Sequence, residues 1–178
     1  LVVGSRLQDF TTASKQIFAS DVKLLHLNVS KFDGLKMDSI ILQADAKSGL
    51  ESLSEELRKS KFQTSAEYRG CVSQLQSEWN AEVDRLYNLT SEEGNVQTSI
   101  VGTLNEFMAP EDIVLCAAGS LPGDLHRLWR SEIPKTYHME YGYSCMGYEV
   151  AGGLGAKMAM EKGEVYIIVG DGSYLMLH

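Results

Sequence analysis

Residues 164–178 (EVYIIVGDGSYLMLH) hold the segment whose residue types are best suited to chemistry. An apolar run, residues 164–169, ends in Gly170-Asp171-Gly172-Ser173. In an open parallel sheet, ligands bind beyond the carboxyl ends of the strands. A carboxylate placed there and flanked by glycines suits a hard cation. Magnesium takes a few carboxylate oxygens together with phosphate oxygens and water. The glycines let the backbone approach a phosphate, and their N–H groups can donate to it. A helix beginning near Ser173 would add a partial positive charge at its N-terminus. Two further turns share the pattern. Ala117-Ala118-Gly119-Ser120 closes another apolar run, and residues 141–147 (YGYSCMG) lead into the small-residue stretch 148–156 (YEVAGGLGA). These turns could converge on one diphosphate. They could equally be the tight connections of a doubly wound fold.

Turns of this kind need strands alternating with helices to position them. The opening residues 1–4 read as the end of a buried strand, and residues 16–20 as the close of a short helix. Strands are expected at 22–29 and 39–43. A helix is expected at 46–60, with Leu50, Leu53 and Leu57 on one face. Along residues 66–87, Tyr68, Val72, Leu75, Trp79, Val83 and Leu86 recur in steps of three and four, the mark of an amphipathic helix and its packing surface. The polar stretch 88–95 reads as a linker. In the second half a helix over 96–108, with Val96, Ile100, Leu104 and Phe107 inward, ends at Pro110. A strand at 112–118, a helix at 124–129, a helix at 148–160 and a strand at 164–169 follow. The class is α/β, with mostly parallel, doubly wound sheets.

Composition narrows the function. The chain has 178 residues, a formal net charge of −8 and 44% hydrophobic residues. An acidic chain lacks the clustered Lys and Arg that neutralise nucleic-acid phosphates, and it does not suit an anionic membrane surface. No apolar run is long enough to span a bilayer. Cys71, Cys116 and Cys145 are odd in number and widely spaced, which argues for reduced thiols in a cytoplasmic protein and against a disulfide framework or a zinc knuckle. No basic leader precedes Leu1, so no signal peptide is expected, and Asn88-Leu89-Thr90 reads as a chance glycosylation match. Both ends fall within apolar runs and read as cuts in a longer protein.

The stretch 141–176 (YGYSCMGYEVAGGLGAKMAMEKGEVYIIVGDGSYLM) resembles the cofactor-diphosphate domain of thiamine-diphosphate enzymes of the acetolactate synthase superfamily. Residues 4–18, 117–129, 143–149 and 170–176 carry a further likeness, to the branch that opens a cyclic trihydroxy-dione in myo-inositol breakdown. The resemblance covers nearly the whole chain. It implies thiamine diphosphate and Mg2+ as cofactors. It also implies three successive domains, of which this chain holds the later half of the central one (1–64), a helix and linker (65–95), and the first half of the diphosphate-binding one (96–178), truncated. Asp171 matches the metal-binding Asp, and its partner Asn would lie beyond His178. Gly172 and Ser173 match contacts to metal-bound diphosphate, and Gly119 and Ser120 match a turn that touches it from the other side. Met146 matches the apolar residue that props the cofactor in its bent shape, while Ser144, Gly147 and Gly170 complete the implied cofactor set. The activating glutamate belongs to the first domain, so no catalytic base is assigned here. His126 is expected on a helix surface, and His138 and Glu140 on the approach to Gly142.

The implied reaction is hydrolytic C–C ring opening of trihydroxycyclohexane-1,2-dione. The cofactor's thiazolium carbon attacks a carbonyl and its ring takes up the electron pair. The implied partners are this small molecule and further copies of the chain, as a homodimer or homotetramer, with no nucleic acid and no membrane. The 178 residues alone are expected to be inactive. Two other readings remain: an acetolactate-synthase-like carboligase, and a non-catalytic nucleotide-binding module. Against the second, only Gly4 and Gly34 lie near the opening strand and no Gly-x-Gly-x-x-Gly follows a strand in that half.

Overall fold

The computed structural model of the chain describes residues 1–176; Leu177, which ends the apolar run 174–177, and His178 after it lie outside the described residues. The chain falls into two units, Leu1–Tyr68 and Arg69–His178.

In the first unit, β1 (Val2–Val3), β2 (Leu25–Asn28) and β3 (Ile40–Gln43) form a parallel sheet in the order β1-β2-β3. Val2 pairs with His26, and Leu25 with Ile40. The helix expected to close at residues 16–20 is instead α1 (Asp9–Thr12). Ala13, Ser14 and Lys15 take left-handed conformations (φ 46, 53 and 70), which unwinds the chain before Gln16. A short helix not foreseen, α2 (Lys31–Gly34), begins where the Ser30 hydroxyl accepts from the Asp33 N–H. Helix α3 (Ala46–Lys59) starts as expected, because the Asp45 carboxylate accepts from the Ser48 N–H at 3.0 Å. The residue of α3 that is buried is Gly49, seated on Leu27 so closely that a Cβ would lie 2.6 Å from its Cδ1. Leu50, Leu53 and Leu57, read as the packing face, stand exposed. The close approach at Gly49 seats α3 at that point, and the leucine row lies along the flank of the contact, partly open to solvent.

The second unit carries α4 (Ala66–Tyr87), α5 (Gln97–Phe107), β4 (Ile113–Cys116), α6 (Leu121–Leu128), β5 (Tyr137–Met139), α7 (Tyr148–Ala159), β6 (Val165–Ile167) and α8 (Asp171–Met176). Its sheet is parallel in the order β5-β4-β6, with Leu115 between His138 and Ile167. The central β4 is an apolar run buried on both faces, as parallel strands are, and Val114 through Ala118 are all buried. Val83, Val101, Val114, Cys116, Leu125 and Leu128 form the core. Residues 88–95, read as a linker, lie within this unit and include a bridge between Ser91 and Gly94.

Helix α4 has the expected bounds, but its stripe packs only near its C-terminus. Val83 is buried, whereas Tyr68, Val72, Leu75 and Trp79 are exposed. The inner face of α5 is Val101 and Gly102; Ile100 and Phe107 point to solvent. The cause is the Tyr87 ring, which sits directly on Gly102 and turns that face of α5 inward. The α/β class with parallel sheets flanked by helices is borne out. Among the described residues, no helix is long and apolar enough to cross a membrane.

Candidate functional site

Because β4, β5 and β6 run parallel, their carboxyl ends share one edge. The three segments singled out by sequence leave from that edge: residues 117–120 after β4, 141–147 after β5 and 170–173 after β6. The first and second of these turns need backbone that glycine adopts freely, with Gly119 at φ 95 and Gly147 at φ 90. Gly147 is the N-cap of α7.

One residue joins the three turns, and it is Glu149. Its side chain is completely buried. Oε1 accepts from the Ala118 N–H at 3.0 Å, and Oε2 accepts from the Gly147 N–H at 3.0 Å and from the Ser173 hydroxyl at 2.9 Å. The Gly147 N–H is shared, because it also donates to Ser173 Oγ at 2.8 Å. Burial pushes the Glu149 carboxyl up, but the bonds from the Ala118 N–H, its own backbone N–H, the Ser173 hydroxyl and the Gly147 N–H outweigh it and hold the group below its ordinary value. The carboxylate therefore stays charged, held by backbone and hydroxyl dipoles.

Sequence reasoning did not single out Glu149, since an acidic residue in a helix's first turn usually faces water. A signal was present. Glu149 and Gly153 are four apart on α7, so they share a face. Gly153 is buried against β6, where a Cβ would lie 2.2 Å from Ile167 Cδ1. A glutamate on the face that a glycine presses onto a sheet must point inward.

The expected site residues fall into two groups. Gly119, Ser120, Ser144, Met146, Asp171 and Gly172 are exposed along the edge, and Gly170 is half-buried beside them. A Cβ at Gly119 or Gly170 would meet nothing within 4 Å, so the ground in front of both turns is open. Gly172 approaches Met146, whose Cε would lie 3.9 Å from a Cβ there, which brings the second and third turns together. Ser173 and Gly147 form the other group. Ser173 is buried, and its hydroxyl and the Gly147 N–H are turned inward onto Glu149.

The remaining polar candidates have structural partners. Glu140 accepts from the Tyr143 and Cys145 N–H groups at 3.1 and 3.0 Å, shaping the loop that carries Ser144, itself at φ 53. His138 stacks on Tyr148, its Nε2 2.7 Å from the Tyr148 hydroxyl. His126 is exposed on α6, as expected. Strand β5, which sets the loop's origin, was not foreseen, because Tyr137, His138 and Met139 form too short a run to read as a strand.

The donor set fits a diphosphate better than a self-contained metal site. Asp171 opens α8 with its carboxylate exposed, and its Oδ1 accepts from the Gly172 N–H at 2.8 Å. Among the described residues, no group of three or more His, Cys, Asp or Glu is arranged to hold a metal ion. A cation at Asp171 would need oxygens from elsewhere, and phosphate oxygens with water are what magnesium prefers. A hollow of about 350 Å3 lined by Tyr87, Asn105, Trp129, Arg130 and Thr136 lies beside the amino ends of β4 and β5. Ligands of parallel sheets take the opposite edge.

Residues 117–178 match the family model of the thiamine pyrophosphate enzyme C-terminal TPP binding domain. Over 99% of its length the chain is 45% identical to the 3D-(3,5/4)-trihydroxycyclohexane-1,2-dione hydrolases of Bacillus cereus (strain AH820) and Bacillus anthracis (strain CDC 684 / NRRL 3495). It is 42% identical to the hydrolase of the same name from Clostridium tetani (strain Massachusetts / E88). The chain spans 31% of the length of each of these relatives. The resemblance to thiamine-diphosphate enzymes read from the sequence is borne out.

Proposed function

We propose that this chain is the diphosphate-anchoring part of a thiamine-diphosphate enzyme that hydrolyses a C–C bond of trihydroxycyclohexane-1,2-dione and so opens its ring. The observation that carries this reading is the gathering of three turns at one carboxyl edge of a parallel sheet, inside the segment that matches the cofactor domain. When bound, thiamine diphosphate supplies a thiazolium carbon that adds to a carbonyl and stores the electron pair of the broken bond. The chain's own residues do the holding. Asp171 would contribute a carboxylate oxygen to Mg2+. Gly119, Ser120, Gly170 and Gly172 would let the backbone come close, and Met146 would support the cofactor. Ser144 and the α7 cap at Gly147 shape the loop that carries Met146.

The activity belongs to the full-length protein. Without the activating glutamate and the metal-binding Asn that the resemblance puts outside this chain, the 178 residues alone are expected to show no turnover. The place of this reaction is myo-inositol breakdown in the cytoplasm, which agrees with free Cys71, Cys116 and Cys145. A homodimer or homotetramer is the expected assembly, since Phe107, Leu154 and Met158 are large exposed apolar side chains that a further surface would cover.

The test is to supply the full-length protein, with thiamine diphosphate and Mg2+, with the cyclic dione or with pyruvate, and to follow products by NMR. A ring-opened acid from the dione supports the proposal. Acetolactate from pyruvate, with the dione untouched, would replace it by a carboligase. Neither product, together with calorimetric binding of ADP or FAD, would replace it by a nucleotide-binding module.

A further inference from the structure

Glu149 is a carboxylate with no exposure whose known bonds all run to the edges of the candidate site. Among the described residues, no ion pair joins it. Burying a carboxylate without a cation is costly, and it persists only where donors surround it. Beyond its own backbone N–H, its donors are the Ala118 N–H, the Gly147 N–H and the Ser173 hydroxyl. Each belongs to a residue that adjoins a candidate cofactor residue. Ala118 precedes Gly119, Gly147 follows Met146, and Ser173 follows Gly172. The carboxylate thus sets the separation of three backbone segments that no strand pairing holds at that point.

We propose that Glu149 is the positioning residue of the diphosphate site, locking the three turns at the spacing that cofactor binding requires. The inference rests on the cofactor reading above. Glu149 is not a catalytic residue, because both oxygens are engaged and its side chain is out of reach of any ligand. Its role demands a carboxylate. Both oxygens accept, and a glutamine would turn an N–H2 group against either the Ala118 N–H or the Gly147 N–H, neither of which can accept. Aspartate keeps the charge but is one methylene shorter, so it reaches some of the donors and not all. Supporting groups of this kind behind a ligand-binding shell typically change affinity by about 10–100-fold when removed.

The experiment uses the full-length protein in four forms: wild type, Glu149→Gln, Glu149→Asp and Ser173→Ala. Thiamine diphosphate affinity is measured by calorimetry at saturating Mg2+. KM for the cofactor, kcat at saturating cofactor and amide exchange over residues 117–120 and 144–150 are measured alongside. The expected result for Glu149→Gln is an affinity loss and a KM rise of about 10-fold or more, with kcat at saturating cofactor within about 3-fold of wild type. Exchange should rise in both segments before any cofactor is added, and Glu149→Asp should recover part of the affinity. If Glu149→Gln does not fold, the same affinity and exchange shifts are expected, smaller, in Glu149→Asp and Ser173→Ala. Loosened turns with cofactor affinity unchanged in every variant overturn the inference, because Glu149 then serves folding alone. A wild-type protein that binds no thiamine diphosphate overturns the cofactor reading and the inference with it.

Discussion

Replacing Gly102 by alanine should destabilise the second unit, although alanine is the better helix former. An added Cβ at Gly102 would lie 2.5 Å from Tyr87 Cγ and 2.8 Å from Tyr87 Cβ. These atoms sit at the root of the side chain, so no rotation of its tip relieves the overlap. The ring is also fixed at its far end, where the hydroxyl is shared between the Leu128 carbonyl oxygen at 2.5 Å and Asn105 Oδ1 at 2.9 Å. Arg130 lies over its face at 5.5 Å from the centroid. Overpacking of this kind costs about 1–3 kcal/mol. Exchanging Gly for Ala inside a helix returns about 1 kcal/mol. With Tyr87 held at both its root and its tip, the overlap should cost the upper part of that range, about 2–3 kcal/mol, so it outweighs the helix gain and the net loss should be about 1–2 kcal/mol. Gly155→Ala on α7 is the control, because a Cβ there meets nothing within 4 Å and should leave only the helix gain. Urea unfolding followed by the fluorescence of Trp79 and Trp129, both in this unit, measures the two variants side by side. A Gly102→Ala protein as stable as wild type would refute the reasoning, since Tyr87 would then be free to move.

Other consequences can be measured directly. Cys116 is completely buried, and burial pushes its thiol up to about 11, so Ellman's reagent at pH 8 should modify exposed Cys71 and Cys145 rapidly and Cys116 only after denaturation. The Glu149 carboxyl is pushed up by burial but lowered on balance by its hydrogen bonds, below its ordinary 4.5. Its stabilising contribution is therefore complete above the unfolded value and is lost as pH falls through the lower, folded one. Urea midpoints between neutral pH and about pH 3 should fall more steeply for wild type than for Glu149→Gln. His126→Ala, a change on the exposed face of α6, should leave cofactor affinity within about 2-fold of wild type by calorimetry.

The parts of the molecule legible in the sequence are those where one periodic pattern acts alone. Helix α4 was recovered to the residue from its three-and-four spacing, and α7 within one. The strands β2, β3, β4 and β6 lie inside the apolar runs that announced them. What stayed hidden depends on partners far along the chain. The inner face of α5 is set by the Tyr87 ring, and the leucine row of α3 is left at the flank of the contact between Gly49 and Leu27. The end of α1 is set by left-handed backbone at three non-glycine residues, for which the sequence has no marker. At the site, the glycine turns were visible because turn chemistry is local. Glu149 was not, because its meaning lies in bonds to residues 31 and 24 positions away.

The central claim is that Asp171, exposed at the carboxyl edge of β6, binds a divalent cation that ties it to the cofactor's phosphates. Calorimetric titration of the full-length protein with thiamine diphosphate, with and without Mg2+, for wild type and Asp171→Asn, tests it most directly. Mg2+ should tighten binding to wild type and do nothing for the variant. Equal tightening by Mg2+ in both proteins would contradict it.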